Sequence, residues 1–269
     1  MNALEIEALT VSFGGARPAV FNVALRIAEG VTMALLGESG SGKTTIGRAV
    51  LGVLPRSAHT TGRVLVCGHD MLAANERARR AVRGRTVAYV PQDTGASLNP
   101  VVAVIDQVAE VFRVHERASR SFARGRAAEV LEDLGVAPEV AERRLLPDEL
   151  SGGMRQRCLI AIALALEPRL IVADEPTSAL DPETTLSVLE ALARARRASN
   201  AAVLLVTHDL GVAATIADEV TVLREGVIVD AGRAGTLLRT PTHPYTRALV
   251  AAAPRLPGAA PAGSEDDRD

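Results

Sequence analysis

The sequence predicts an α/β protein built on a mostly parallel β-sheet flanked by helices. Two observations carry this expectation. Short, continuously apolar runs ("VTMALL", "LIVA", "AAVLLV") alternate with longer helical stretches along the 269-residue chain, as a parallel sheet covered on both faces demands. The segment "GESGSGKTT", Gly37 to Thr45, lies directly between "VTMALL" and the helical run "TIGRAVLGVL". That order reads as strand, tight loop, helix.

The first residues, "MNALEIEAL", are mildly acidic and alternating, which predicts a first strand and not a signal peptide. In "AVFNVALRI" the apolar residues Phe21, Val23, Leu25 and Ile27 stand at alternate positions, predicting a strand with these four on one face. After "VTMALL", the loop and its helix come two further strand-like runs, "GRVLVCG" and "RTVAYVP". Between them, "NERARRAVRGR" is densely positive but holds a glutamate and no interleaved aromatic, so it reads as a solvated helix face or turn. From about Asn99 to Pro147 the apolar spacing becomes three and four, as in "VVAVIDQVAEVF" and "RAAEVLEDLGV", predicting a helical insert. "LSGGMRQRCLIAIALALEP" reads as a loop opening a helix that Pro168 ends, and the buried strand "LIVA" follows. A helix ("PETTLSVLEALARARRA"), a strand ("AAVLLVTHD"), a helix and a strand pair ("EVTVLREGVIVDAG") complete the alternation. The tail "GAAPAGSEDDRD" has no apolar periodicity and predicts disorder.

Composition removes several classes of function. Charged residues make up 23% and the formal net charge is -2, so no global basic field invites nucleic acid. With no Trp, two Tyr and four Phe, the stacking platforms of a single-strand binder are missing as well. The longest apolar run, "LIAIALAL", is too short for a membrane span. Cys67 and Cys158 lack paired ligand spacing and read as buried thiols of a reducing compartment.

The chemistry concentrates in three places. Gly37 to Thr44 matches the phosphate-loop pattern G-x-x-x-x-G-K-[ST] in full. Average residue usage gives such a match by chance with odds on the order of one in a hundred in a chain of this size, so the match carries weight. Glycines at Gly37, Gly40 and Gly42 let Glu38, Ser39 and Ser41 turn their N–H groups inward above a helix N-terminus, Lys43 reaches the outer phosphates, and the Thr44 hydroxyl ligates magnesium. A Gly-rich turn with a solvated lysine explains neither flanking element. "LIVADEP" ends a buried strand in two acids, Asp174 and Glu175, placed to hold magnesium and to orient water against a terminal phosphate. "ELSGGMRQR" sets Ser151, Gly152 and Gly153 before a second helix, a second anion-binding N-terminus that one nucleotide does not need.

Taken together these residues resemble the ATP-binding-cassette (ABC) ATPase family, over about Leu4 to Val250. The resemblance implies a phosphate-loop NTPase fold with an antiparallel β-subdomain at the N-terminus. It also implies an ATPase domain over 1–250, an insert at about 99–147 and a short extension at 251–269. The family's two subunits pack head to tail, each ATP lying between one subunit's loop and the other's signature. Carried onto this chain, Gly37 to Thr45 hold ATP in cis, while Ser151, Gly152, Gly153 and Gln156 contact the partner's nucleotide. Thr44, Gln92 and Asp174 hold Mg2+, and Glu175 is the general base. His208 and Lys43 stabilise charge, Phe13 stacks on adenine, and Asp181, ending "SALD", touches the opposite subunit.

Within the family, "ASLNP", Met154 with Arg155, and "PTHPYTRALVAAAP" look like the oligopeptide, dipeptide and nickel importer branch. Pro91 and Thr94 depart from that branch, which usually carries an aromatic at the first position and often proline at the second. The branch implies an ATPase on the cytoplasmic face of the cell membrane, held there by two permease subunits. A second, related ATPase and an extracytoplasmic binding protein complete the assembly. The insert is expected to carry the docking surface. The alternatives are a cassette serving another cargo, DNA repair or translation, and a small-molecule kinase. The last leaves "LSGGMRQR" without a purpose.

Overall fold

A computed structural model describes residues 1–15, 17–92, 97–178 and 180–253, with Ala195 described in its backbone only. Two sheets organise the chain. The first is antiparallel, in the order β2-β1-β4-β5, with β1 at Asn2–Ser12, β2 at Val20–Ala28, β4 at His59–Val66 and β5 at His69–Asp70. The second runs β10-β9-β3-β8-β7-β6, with β3 at Thr32–Leu36, β6 at Val87–Val90, β7 at Leu170–Asp174, β8 at Ala202–Thr207, β9 at Glu219–Arg224 and β10 at Val227–Arg233. Its five strands β6 to β9 with β3 are parallel, and only β10 runs against them.

Period-two alternation divides the core between the two faces of this sheet. Ala34, Leu36, Ile171, Ala173, Val203 and Leu205 join one apolar cluster with the helical layer. Met33, Leu35, Leu170, Val172, Leu204 and Val206 join the other, with the first helix and the antiparallel sheet. That helix, α1 (Lys43–Leu51), packs on β4, β7 and β8. The basic run forms α2 (Glu76–Val82), mostly exposed but anchored by Arg83, which donates to Leu51 O and Gly52 O at the end of α1.

The segment from about Asn99 to Pro147 is largely helical. Its helices are α3 (Val104–Glu116), α4 (Arg120–Asp133) and the short α5 (Pro138–Glu142), followed by a 3₁₀ turn at Pro147–Glu149. Asp106 joins them by accepting from Arg124 at 2.6 Å and Arg144 at 2.5 Å, and these guanidinium groups hold its carboxyl below the usual range against the opposing effect of burial. Further helices among the described residues are α6 (Gly152–Leu164), α7 (Pro182–Ser199), α8 (Leu210–Ile216), α9 (Ala234–Leu237) and α10 (Pro244–Ala252).

Two expectations need correction. Phe21 does not face inward with Val23, Leu25 and Ile27; it is 54% exposed. Asn22 adopts a left-handed φ of 49°, and the β1–β2 register shifts between Leu9/Val23 and Val11/Val20, so a bulge puts Val20 and Val23 inside and turns Phe21 out. Cys158 is buried, whereas Cys67 is only half-buried, in the tight β4–β5 turn. The tail from 254 onward lies outside the described residues.

Candidate functional site

Strand register gathers the site. Leu36 pairs with Thr207, Asp174 with Val206, and Val90 with Ala173, so β3, β6, β7 and β8 end almost level. The residues leaving those ends are Gly37, Gln92, Glu175 and His208. They therefore meet along one carboxyl edge of the parallel strands, where open α/β sheets bind ligands.

The phosphate loop is folded tightly enough to require its glycines. A Cβ on Gly37 would stand 2.2 Å from Leu223 O, and one on Gly42, at φ 105°, would stand 2.5 Å from Ala19 O. Any side chain at either place would force main chain apart. Lys43, buried at the first position of α1, donates from Nζ to Gly37 O at 2.7 Å and Glu38 O at 2.9 Å. Burial pushes its pKa down, opposed by Glu175, Asp174 and Glu38. The N-terminus of α1 has no side-chain cap, and Ser41 Oγ is buried without a hydrogen-bond partner. Open main-chain donors, an unpaired hydroxyl and a buried cation fit a polyphosphate.

Beside the loop, Thr44 Oγ1 donates to Asp174 Oδ1 at 3.4 Å and Tyr89 Oη donates to Oδ2 at 3.3 Å. Burial raises the Asp174 pKa, with Glu175 adding to it and the two hydroxyl donors opposing. Tyr89 is pushed up to about 12 by burial and the neighbouring Asp174, so it stays a neutral donor. Hydroxyl, carboxylate and amide oxygens on Thr44, Asp174 and Gln92 are the hard donors magnesium takes.

Glu175 sits in the left-handed region, at φ 47°, a conformation costing a non-glycine residue on the order of 1–3 kcal/mol. Its N–H donates to Val206 O at 2.8 Å, and its carbonyl accepts from Ser178 Oγ at 3.0 Å, which together hold that backbone in place. Its carboxylate is held at both oxygens. Oε2 accepts from Gln92 Nε2 at 3.0 Å, and Oε1 lies 3.0 Å from His208 Nδ1. The Glu175 side chain is 15% exposed and that of His208 61%.

The signature segment opens α6. Ser151 caps α6 by accepting from Met154 N at 3.3 Å, and α6 packs on α3, α4, α7 and β6. Ser151 and Gly152 are exposed. Gly153 is packed instead: a Cβ there would meet Thr184 Cγ2 at 2.3 Å. Gln156 is 1% exposed, and its Nε2 has no hydrogen-bond partner among the described residues. Helical spacing places it on the inward face of α6 with Ile160 and Ala163.

Asp181 is exposed and caps α7, its Oδ1 accepting from Thr184 N at 3.0 Å and its Oδ2 from Thr184 Oγ1 at 2.6 Å. Ala179, within "SALD", and Thr94 lie outside the described residues. Phe13 is 44% exposed at the start of the β1–β2 connection, whose far end, Ala19, closes against Gly42. Sequence reasoning missed Tyr89, because only the pairing of Tyr89 with Val172 carries its hydroxyl to Asp174.

Residues 20–178 match the ABC transporter family. The chain belongs to that family, as an ATP-hydrolysing cassette with an antiparallel sheet and a mostly parallel sheet between helical layers. More particularly, it is related over nearly its whole length to ATP-binding proteins of peptide transport. It is 38% identical over 258 residues to the oligopeptide transport ATP-binding protein OppD of Bacillus subtilis, covering 94% of this chain and 72% of that one. It is likewise 38% identical over 259 residues to the dipeptide transport ATP-binding protein DppD of the same organism, covering 94% and 77%. Among solved structures it resembles the ATP-binding cassette MJ0796, a dimer in a post-hydrolysis state bound to ADP and Pi. The TM-score there is 0.76, with 27% identity, covering 86% of this chain and 98% of that one.

Proposed function

We propose that this chain energises an importer of oligopeptides or dipeptides, binding and hydrolysing ATP beneath partner permeases. The observation that carries the chemistry is Glu175, a half-sequestered carboxylate gripped by Gln92 on one oxygen and His208 on the other. A carboxylate so fixed can take a proton from a water aimed at the terminal phosphate without reorganising. Lys43 lets go of Gly37 O and Glu38 O to meet phosphate charge. Thr44, Asp174 and Gln92 would hold magnesium, which neutralises phosphate charge when bound. Gly37 to Thr45 cradle the phosphates, and Phe13 stacks on the base.

The signature completes the site in trans. Ser151 and Gly152, exposed at the start of α6, face the nucleotide of a second cassette packed head to tail, and Asp181 lies at that seam. The second cassette is a related chain. Among the described residues no helix is long and apolar enough to cross a membrane, so attachment runs through two permeases at the cytoplasmic face. The exposed Val101, Val114, Phe122 and Leu146 of the helical layer give them an apolar footing. An extracytoplasmic binding protein delivers the cargo.

Short peptides are favoured over nickel chelates because the relatives described above serve oligopeptide and dipeptide transport. The test is a deletion strain requiring an amino acid, supplied as di- and oligopeptides, with nickel uptake measured in parallel. Loss of peptide use with nickel uptake intact is expected; loss of nickel uptake alone moves the cargo to the metal, and loss of neither removes the branch assignment.

A further inference from the structure

Tyr245 opens α10, and several contacts fix its place. Asp230 of β10 accepts from Thr242 Oγ1 at 3.1 Å and His243 N at 3.2 Å, and His243 Nδ1 in turn accepts from Tyr245 N at 3.2 Å. The Arg224 guanidinium, ending β9, lies 4.9 Å from the centre of the Tyr245 ring. So held, the Tyr245 hydroxyl accepts the Glu38 N–H of the phosphate loop at 3.4 Å. The same Glu38 gives its carbonyl to Lys43 Nζ at 2.9 Å. One turn on from Tyr245, Leu249 lines a cavity of ≈ 280 Å³ with Glu38, Ser39 and His208, so a second residue of α10 borders the loop.

We propose that Tyr245 is a positioning residue for the phosphate loop, tying the Glu38 peptide from outside the nucleotide site. This rests on the loop's holding ATP. Before nucleotide arrives, Glu38 is tied twice, by Lys43 from within and Tyr245 from without. Once Lys43 turns to phosphate, its bond to Glu38 O is given up. The Tyr245 hydroxyl then remains to hold the loop open, and the Arg224 stack holds the hydroxyl. Burial raises the Tyr245 pKa, so the group accepting the Glu38 N–H is a neutral phenol. In the free loop Lys43 shares the tie, whereas with ATP bound Tyr245 alone carries it, alike in the bound ground state and in the transition state. It therefore sets nucleotide affinity and leaves turnover at saturation alone.

The experiment compares the full chain with Tyr245→Phe, which keeps the ring and its stack, and Arg224→Gln, which keeps the hydroxyl. Four quantities are read: amide hydrogen exchange across Gly37–Ser41 without nucleotide, Kd for a fluorescent ATP analogue, KM against kcat, and Tm. A single long hydrogen bond supports a change of about two- to fivefold. Tyr245→Phe should speed exchange at Glu38 and raise Kd and KM by that factor, with kcat and Tm kept. Arg224→Gln should shift the same quantities in the same direction by less. Unchanged exchange and Kd in Tyr245→Phe overturn the proposal, as does an affinity loss that follows Tm downward. The exchange arm needs no nucleotide, so it stands or falls separately from the ATP reading.

Discussion

Glu175 Oε1 and His208 Nδ1 stand 3.0 Å apart across the carboxyl edge of β7 and β8, while Gln92 holds the other oxygen of the same carboxylate. This pairing makes Glu175 an acceptor with a fixed direction. Glu175→Gln keeps the shape and both neighbours but cannot take a proton. Turnover should fall by about 10²- to 10⁴-fold with ATP affinity kept, and an ATP-bound dimer should accumulate on sizing. Near-normal turnover would remove Glu175 from its role as base.

Gly153 bears on two demands that one substitution cannot separate. Gly153→Ala drives a Cβ to 2.3 Å from Thr184 Cγ2 and should lower Tm. Removing that methyl in Gly153→Ala/Thr184→Ser should restore Tm while leaving Thr184's hydroxyl bond to Asp181 possible. If the position also faces the partner's nucleotide, ATPase activity stays low in the restored double variant. Recovery of both together would show that the glycine serves packing within its own chain alone.

The helical layer exposes Val114 at 63% and Phe122 at 56%, side chains that packing among the described residues leaves uncovered. Val114→Ser/Phe122→Ser should leave ATP binding and Tm within the scatter of surface changes, about ±0.5 kcal/mol. Transport in reconstituted vesicles should fall, or the subunit should detach from membranes. Protection mapping that placed the contact on the β9–β10 hairpin would refute this footing.

Cys158 is buried and its thiol is pushed up to about 12. It should resist iodoacetamide in the folded chain at pH 8, while the half-buried Cys67 is labelled first; equal labelling would contradict the burial. A folded pKa above the unfolded value means that the folded chain keeps a proton the unfolded chain has lost. Its contribution to stability is therefore present below about pH 8.5, where the unfolded thiol titrates, and is lost as pH rises toward about 12. Denaturant titrations of the wild type and Cys158→Ala should converge as the pH is raised through that window. Parallel curves across it would show that another group controls the alkaline loss.

The sequence by itself determined the strand–loop–helix at Gly37 to Thr45, the acids closing β7 and the capped glycines opening α6. Each is a local instruction: glycine where no Cβ fits, a hydroxyl where helix N–H groups lack partners, carboxylates where a buried strand ends. The inward setting of Gln156 was legible too, since its helical spacing from Ile160 and Ala163 marks that face of α6. Phe21 was not, because strict alternation hides the bulge at Asn22. Only the tertiary structure decided that Gln92 and His208 share one carboxylate, that Tyr89 reaches Asp174, and that Tyr245 reaches Glu38 across 207 positions. Those distances are set by the pairing register of strands remote in sequence and by helices packed on them. A motif fixes what its own backbone does, and long-range pairing fixes which motifs meet.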